Sequence, residues 1–575
     1  MDLDAPTGRL CRVSGPLVEV TGLPGVALHD VVLLGEGRLS AEVVAVTGAR
    51  VTLQAYEYTG GLRAGDPAVT TGAPLSARLG PGLLGGVFDG LLRPLVDAPD
   101  WLAPGHPAPP DARRWEFRPA CKAGEPVGAG ELLGTVAGAG GVEHRVLVPA
   151  GLRGCVDRVA GEGPTTATEP VAVVGGAEVR LESWWPIRRP RPVAGRLDHA
   201  TPLVTGQRVL DAVFPVGQGS AAAVPGGFGT GKTVLLQQIA KWSAADVVVY
   251  VGCGERGNEL ADALAELREL DDPRTGGRLA DRTVIVANTS NMPMMAREAS
   301  IYTGLAVAEY YRDMGHDAVV IADSTSRWAE ALRELASRTG ALPAEEGYPA
   351  GLASALAAFY ERAGRFRTLG GQEASVTVIG AVSPAGGDMT EPVTTHTQRF
   401  VRSLWTLDRD LAYARHYPSV SWRSSYSRDV ETVGAWHAGR GDPGWAGRRS
   451  RVVALLAEAD RLASLAELVG LAALPAAERV VLTTGRLLRE AVLQQSALSA
   501  NDATCGLRKQ ATLVEMVLAV HERALELVAA GVRAALVEET DFTPLIRARE
   551  EVGPDDAAGV AARADAALAA LEELR

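Results

Sequence analysis

The chain has few lysines, few cysteines and no long apolar runs. Four of its 57 basic residues are lysines, and its five cysteines are scattered with no CxxC pair. It contains no stretch of about 18 consecutive apolar residues, and Met1–Leu10 lacks the basic start and apolar core of a secretory signal. These absences argue against a zinc site, a disulfide framework and a membrane span. We therefore expect a cytoplasmic protein whose link to any membrane runs through partners.

Acidic residues outnumber basic residues in this chain. Asp and Glu total 69 against 57 Lys and Arg, which gives a formal charge of −12, and the basic residues form no long run. This balance argues against nucleic acid as the main partner. A length of 575 residues, 47% of them hydrophobic and 22% charged, predicts three or four globular domains.

The first 192 residues have the pattern of short strands. From about residue 8 to residue 78, apolar and polar positions alternate between glycines, as in Ala41–Val46, which predicts a small antiparallel barrel. The stretch to about residue 192 is rich in Gly and Pro and contains strand-like runs such as His144–Val148. It predicts a second all-β module, with a mere spacer as the alternative.

The middle of the chain alternates apolar runs with helical segments, which predicts a parallel sheet flanked by helices. The apolar runs are Val247–Val251, Val284–Ala287, Ala318–Ala322 and Val376–Ala381. After about residue 450 the pattern becomes helical, with Leu455, Leu462 and Leu465 at helical spacing. The chain ends in an Ala-rich amphipathic segment, Ala557–Leu574, either a solvated surface helix or a docking element for a partner.

The strongest motif is the sequence GGFGTGKT at Gly226–Thr233, which matches the GxxxxGK[ST] phosphate loop in full. Glycines let backbone N–H groups turn inward around phosphate oxygens, and the helix that follows adds partial positive charge. Lys232 should reach the β- and γ-phosphates, and the Thr233 hydroxyl can ligate magnesium. The alternative is a Gly-rich turn that happens to precede a lysine.

Two acidic positions follow apolar strands in the same region. Asp323 ends the run from Ala318, as a Walker B carboxylate does, and such a residue holds magnesium directly or through water. Glu255 and Arg256 follow the run Val247–Val251; the carboxylate can orient an attacking water and the arginine can offset phosphate charge. From spacing alone, the second pair could equally be a charged surface loop.

The sequence PGGFGTGKT with GCGERGNE downstream resembles the catalytic subunit of V-type and A-type rotary ATPases. Other segments agree in the expected order, between about residues 8 and 530: Ser14–Val18, Gly86–Gly90, Trp185–Pro192, Glu346–Ala350, Phe359–Gly364 and Gly380–Pro384. The resemblance implies a β-barrel over residues 1–78, a β-rich insertion over 79–192, a RecA-like α/β P-loop domain over 193–430 and a C-terminal α-helical domain over 431–575.

The resemblance also implies a function and a set of site residues. Glu255, Lys232 and Arg256 would be catalytic, Thr233 and Asp323 would hold Mg²⁺ with ATP or ADP, and Tyr417 would pack on adenine. The nucleotide-binding residues would be Gly226, Gly227, Phe228, Gly229, Thr230, Gly231, Lys232, Thr233, Val234 and Tyr417.

The partners implied are a non-catalytic B-type subunit in an alternating hexamer, central-stalk and peripheral-stalk subunits, and, indirectly, a membrane sector that moves ions. ATP hydrolysis or synthesis at a subunit interface would be coupled to ion transport, on the cytoplasmic face of the membrane, without nucleic acid. The helical C-terminal part would act as the lever on the central shaft.

The chain departs from the family pattern at several places, among them Ala374 and Gly351, to which no functional meaning attaches. Thr230 stands where some members carry a cysteine, so a disulfide switch there is excluded. Val492 and Leu498 stand where the family has aromatic residues, which puts the adenine contact in question but not the phosphate chemistry.

Two rival functions compete with this interpretation. A regulatory subunit that only binds nucleotide would be expected to lack the loop lysine or the catalytic carboxylate, and both Lys232 and Glu255 are present. A ring-shaped nucleic-acid translocase shares the same core, but the β-rich insertion and the acidic balance argue against it.

Overall fold

The computed structural model describes residues 7–96, 98, 111–138, 141–199, 201–272 and 274–574, with every side chain in these ranges except those at 259, 263, 264 and 266. The described residues fall into two compact units. The first lies within 1–198, 245–382 and 389–400, and the second within 199–244, 383–388 and 401–575.

The chain begins with a closed antiparallel barrel in the strand order β1-β2-β5-β4-β3-β6. Alternate side chains such as Val18, Val20 and Leu53 are wholly buried inside it. The predicted small barrel is therefore confirmed. Its strands are β1 Thr7–Ser14, β2 Leu17–Thr21, β3 Asp30–Leu34, β4 Leu39–Thr47, β5 Arg50–Ala55 and β6 Pro67–Pro74.

The insertion is an all-β module of its own. Two four-stranded sheets, β10-β13-β15-β16 and β12-β11-β9-β14, enclose a core that includes Phe117, Leu133 and Val156. The all-β prediction is confirmed and the spacer alternative is wrong. The strands from the barrel to the end of this region are β7 Ser76–Leu79, β8 Val87–Phe88, β9 Arg114–Pro119, β10 Pro126–Val127, β11 Leu132–Val136, β12 His144–Leu147, β13 Gly154–Val159, β14 Gly163–Thr166, β15 Pro170–Val174, β16 Ala177–Arg180 and β17 Ser183–Pro186.

Strands and helices alternate through the next part of the chain. In order they are β18 Gly195–Leu197, β19 Ala221–Pro225, α1 Lys232–Trp242, β20 Val247–Glu255, α2 Gly257–Glu269, β21 Thr283–Thr289, α3 Met294–Asp313, β22 Ala318–Asp323, α4 Thr325–Thr339, α5 Leu352–Tyr360, β23 Gly364–Arg367, β24 Glu373–Val382, α6 Pro392–Phe400, β25 Ser403–Leu404, α7 Arg409–Tyr413 and β26 Tyr426–Ser427.

In the first unit, β24, β22, β20, β21 and β8 pair in that order, and every pair is parallel. β23 adds to β24 antiparallel, and β18 adds to β23. Nearly all residues of β20, β21 and β22 are buried, which explains why these strands are continuous apolar runs and not alternating ones. The four strands expected here from their apolar runs are confirmed.

In the second unit, β19 pairs in parallel with β25, which pairs antiparallel with β26. Helices make up most of the rest, as predicted: α8 Val430–Ala438, α9 Trp445–Val469, α10 Ala476–Leu487, α11 Leu507–Ala529, α12 Ala534–Glu539, α13 Thr543–Glu551 and α14 Ala557–Glu572, with single π-helical turns at Val209–Val213 and Leu488–Leu493.

The structure gives the buried faces of two helices, which the sequence pattern did not specify. The buried positions of α9 include Val452, Leu456 and Leu462, whereas Leu455 and Leu465 are only half-buried. Helix α14 packs on α11 and buries Val560, Ala564, Ala567 and Leu571, so the choice between a solvated surface helix and a docking element for a partner stays open for its other face. No helix among the described residues is long and apolar enough to cross a membrane. The expected domain boundaries stay predictions.

Candidate functional site

The phosphate loop joins the buried strand β19 to helix α1, which starts at Lys232. Gly229 and Gly231 have φ of 77° and 82°, a left-handed conformation that glycine adopts without strain. A Cβ on Gly231 would lie 3.2 Å from the Tyr417 ring, so the neighbouring ring leaves little room for a side chain there. The loop therefore ends at a helix N-terminus with the backbone geometry that an anion site needs.

Lys232 extends across this loop. Its Nζ donates to the carbonyl oxygen of Gly226 at 3.1 Å and, by a short hydrogen bond, to the Ser383 hydroxyl. Ser383 lies just beyond β24, 151 residues from the lysine, in the segment Gly380–Pro384 that carries part of the family resemblance, but sequence analysis gave it no role. A polar residue directly after a core strand is too common to indicate one.

Thr230 and Ser419 support the loop from within. The Thr230 hydroxyl donates to Gly227 O at 2.9 Å, and the Ser419 hydroxyl donates to Thr230 O at 2.6 Å. Thr230 is buried, so at the position where some relatives have cysteine this chain uses a hydroxyl to brace the turn. The side chains of Phe228 and Val234 are exposed, 95% and 50%, so these positions offer mainly their backbone groups to the loop.

In the first unit, two predicted carboxylates lie at the carboxyl ends of neighbouring parallel strands. β20 ends at Glu255 and β22 at Asp323, with Gly252 opposite Asp323 in the register. Ligands of open α/β sheets bind at this edge. Asp323 is 5% exposed and accepts a hydrogen bond from Tyr250 Oη at 3.1 Å.

A β-bulge sets the direction of Glu255. The pairing with β21 shifts between Cys253 and Glu255, and Gly254 between them has a φ of 74°. A Cβ on Gly254 would lie 2.9 Å from Arg327 Cβ and 3.0 Å from Arg297 Cδ. Glycine is required there both by φ and by close approach, and the bulge re-aims the carboxylate at the strand end.

Arg297 and Arg327 are two residues that sequence reasoning missed. They belong to α3 and α4, the helices that follow β21 and β22, and both lie against Gly254. Arg297 donates through Nη2 to Ser290 O at 2.7 Å, and Ser290 N donates to Glu255 O at 2.9 Å. The backbone at the end of β20 therefore packs against the side chains of two arginines, whereas predicted Arg256 has an exposed side chain.

Tyr417 is the aromatic residue beside the phosphate loop. Its ring is 41% exposed, and its carbonyl accepts a hydrogen bond from Gln495 N at 2.8 Å. Burial lowers the pKa of the adjacent His416 to about 4, so that ring is neutral at physiological pH.

The two positions where the family has aromatic residues have opposite environments. Val492 is wholly buried, whereas Leu498 is 99% exposed. Leu498 is therefore the one of the two that a bound base could reach.

The donor set suits magnesium. A threonine hydroxyl at Thr233 and a carboxylate at Asp323 are hard oxygen ligands, and Mg²⁺ bound with nucleotide usually takes only one or two protein oxygens, the rest coming from phosphates and water. No group of three or more His, Cys, Asp or Glu residues suited to a metal ion occurs in the part of the chain that the structure describes.

Four family models match the chain, in the order of its domains. They are the ATP synthase alpha/beta family beta-barrel domain over residues 10–72, the alpha/beta subunit barrel-sandwich domain over 107–188, the alpha/beta nucleotide-binding domain over 206–427, and the C-terminal domain of V and A type ATP synthase over 434–537. Together they define a P-loop ATPase of the ATP synthase alpha/beta class.

Relatives match over almost the whole chain. A V-type ATP synthase alpha chain of Anaeromyxobacter sp. (strain K) is 50% identical over 98% of this chain and 100% of its own length. The corresponding chain of the A-type ATP synthase of Staphylothermus marinus is 45% identical over 95% of this chain and 94% of its own length. The chain belongs to the family of V-type alpha chains and their A-type counterparts, the catalytic subunits of these ATP synthases.

A solved structure shares the fold. The assembled ATPase EscN of the enteropathogenic E. coli type III secretion system aligns with a TM-score of 0.64 and 21% identity, over 89% of this chain and 100% of that chain. At this identity the likeness describes the fold alone.

Proposed function

We propose that this subunit hydrolyses or forms ATP with Lys232, Thr233, Glu255, Arg256 and Asp323 acting on one bound nucleotide. The observation that carries the proposal is the phosphate loop, with Lys232 Nζ held over it by Gly226 O at 3.1 Å and by Ser383. The mechanism is positioning and electrostatics: the loop amides and Lys232 bind phosphate oxygens, and Glu255 orients and polarises the attacking water.

Mg²⁺ would be held by the Thr233 hydroxyl and the Asp323 carboxylate. When bound, it neutralises charge on the β- and γ-phosphates. Arg256 adds positive charge near the transferred phosphoryl group, and Tyr417 packs on adenine. These roles rest on the resemblance and on the chemistry of the residues, and each can be tested by substitution.

Glu255→Gln is the decisive variant, because the amide keeps the shape of the side chain and loses its ability to polarise water. Mg-ATP should bind with unchanged Kd and turnover should fall by about 10²–10⁴-fold. Lys232→Ala should weaken binding as well. Glu361→Gln, the same chemical change at an exposed position, is the matched control and should leave both quantities unchanged. Near-parental turnover by Glu255→Gln would move the water-positioning role to another residue.

We further propose that the protein works in an alternating hexamer with a B-type partner, which supplies an arginine in trans, and with stalk subunits that connect it to an ion-moving membrane sector. An arginine of this kind contributes about 10³–10⁵ in rate in related phosphoryl-transfer enzymes. The isolated chain should therefore bind Mg-ATP and hydrolyse it slowly, and the B-type partner should restore turnover. Full turnover by the isolated chain would contradict the shared site.

The membrane function is tested in the assembled complex. We place the protein on the cytoplasmic face, where ATP is available. Reconstituted into liposomes, the complex should move protons or sodium ions when ATP is added outside, and Glu255→Gln should abolish that transport. Activity stimulated by nucleic acid, with no ion transport, would favour the translocase alternative.

A further inference from the structure

Arg208 is a fully buried arginine outside the phosphate loop. It lies upstream of β19, and its Nη1 donates to Asp502 Oδ1 at 2.6 Å; both side chains are 0% exposed. The same guanidinium donates from Nε to Val492 O at 2.7 Å and from Nη2 to Gln494 O at 2.5 Å. One side chain therefore binds a carboxylate and two backbone carbonyls at once.

The carbonyls that Arg208 binds lie where a helix ends. The π-helical turn Leu488–Leu493 stops at Gln494, and the last carbonyls of a helix have no partner within it. Arg208 supplies that partner, and a planar guanidinium does so only in a defined orientation. The side chain therefore fixes the direction in which the chain leaves the turn.

Further hydrogen bonds join the same two segments. Gln495 accepts from Arg208 N at 2.8 Å and donates to Gly206 O at 2.9 Å. Asp502 Oδ2 accepts from Ser496 N at 2.7 Å. The residues before and after Gln495 are thus anchored as well, Gln494 by Arg208 directly and Ser496 through Asp502.

This anchored segment reaches the nucleotide site through Tyr417. Gln495 N donates to Tyr417 O, and the Tyr417 ring lies against Gly231 of the phosphate loop. Leu498, exposed beside the same segment, follows Ser496 by two residues. The Tyr417 ring and the exposed Leu498 side chain, together termed the base-side wall, are carried by this anchored segment, whereas Gln495 is buried behind them.

Stability alone does not explain why this ion pair is buried. Well-packed apolar residues of similar volume are often as stabilising as a buried pair, and buried pairs are best attested where they fix one arrangement among several. The Arg208–Asp502 pair binds backbone atoms of a segment that ends in an exposed wall. Fixing that wall is a use that an apolar pair could not serve.

We propose that Arg208, together with Asp502, is a positioning residue for the base of the bound nucleotide. Through Gln495 it holds the wall of Tyr417 and Leu498 where the base of a nucleotide bound at the phosphate loop would pack, while the loop binds the triphosphate independently. The inference rests on the proposed function, since it requires nucleotide to bind at this loop.

The test compares ligands with and without a base. Kd is measured for Mg-ATP, Mg-GTP and Mg-tripolyphosphate on the parent, Arg208→Lys and Asp502→Asn. Arg208→Lys keeps the charge but cannot bind both carbonyls and the carboxylate in one plane. We expect the Kd values of Mg-ATP and Mg-GTP to rise by about tenfold, because both bases would pack on the same ring, and that of tripolyphosphate to stay within about twofold of the parent.

Two further variants allow the test to be made even if Arg208→Lys or Asp502→Asn folds poorly. Gln495→Ala removes two anchoring hydrogen bonds and leaves the ion pair, and it should weaken ATP and GTP by a smaller factor while tripolyphosphate stays unchanged. Arg449→Lys is the matched control, since Arg449 donates to Val213 O at 2.8 Å and takes no part in the bonds that anchor the wall. It should leave all three constants unchanged.

The outcomes separate the inference from its premise. Parallel loss of ATP, GTP and tripolyphosphate in Arg208→Lys, or unchanged Kd for ATP and GTP in both Arg208→Lys and Gln495→Ala, would overturn the positioning role. Tripolyphosphate binding that survives Lys232→Ala would instead overturn the proposed nucleotide site.

Discussion

Replacing Lys509 by arginine should loosen the segment that carries Asp502, although the charge is kept. The Lys509 side chain is wholly buried, and its Nζ donates to the carbonyl oxygens of Arg549, Asn501 and Val552 at 2.7, 3.0 and 3.1 Å. An ammonium has three donors on one atom, whereas a guanidinium spreads five in a plane. Arginine cannot satisfy the same three converging carbonyls.

The magnitude follows from the bonds that are lost. A hydrogen bond to a charged group contributes roughly 1.5–3 kcal/mol, and arginine should lose two of the three. Overpacking in a filled site adds roughly 1–3 kcal/mol. Burial lowers the pKa of Lys509, so the fold holds this charge at a cost, and arginine keeps that cost because it keeps the charge. We therefore expect a local loss of about 4 kcal/mol or more, taking the low end of each range, which is about 1000-fold in an opening equilibrium.

The assay is hydrogen exchange on the full chain. Peptides covering residues 496–506 and 549–554 report the local opening, because Gly506 N donates to Pro554 O at 2.9 Å and so joins the two segments that Lys509 binds. Lys509→Met, which loses all three bonds, should exchange at least as fast as Lys509→Arg. Lys122→Arg, the same change at an exposed lysine, is the control. Exchange within about threefold of the parent for both Lys509 variants would refute the reasoning.

Three other predictions concern the nucleotide site and acid stability. Ser383→Ala should raise the Kd for Mg-ATP about fivefold by removing an acceptor from Lys232, and Ser383→Thr should not; equal losses would show that the hydroxyl is irrelevant. Leu498→Phe should lower KM for ATP with kcat unchanged; an unchanged Kd for both ATP and GTP would remove Leu498 from the base pocket. Burial lowers the pKa of His144 to about 3, so the unfolded chain, with an ordinary pKa near 6.5, binds a proton that the fold does not. The free energy of unfolding should fall as pH drops from about 6.5 toward 3, by roughly 4–5 kcal/mol in full, and in His144→Phe the urea midpoint should depend less on pH over that range. An equally strong pH dependence of the midpoint in this variant would place the acid sensitivity elsewhere.

The phosphate loop was predictable because its demands are local. Gly229 and Gly231 need left-handed backbone angles, and the helix must start at Lys232, all within one short stretch. Demands of this kind depend only on consecutive residues, so the sequence shows them directly. The same holds for the strands that end at Glu255 and Asp323, where a continuous apolar run predicts a strand buried on both faces.

Helical periodicity located the helices and not their buried faces. The spacing of Leu455 and Leu462 predicted α9, yet the packed positions include Val452 and Leu456. Leucines occur on more than one side of this helix, and only the neighbouring helices decide which side is covered. The environments of Val492 and Leu498 likewise could not be read from an aligned motif, since one is wholly buried and the other almost wholly exposed.

By itself the sequence determined the order of the domains along the chain, the phosphate loop and the two carboxylates at strand ends. Each of these depends on residues that are next to one another in the sequence. The tertiary structure alone decided that Ser383 meets Lys232 and that Arg208 meets Asp502, 294 residues away. An arginine or a serine in a sequence carries no sign of its distant partner. That partner is set by which segments pack together, and burial then requires each charge to find one.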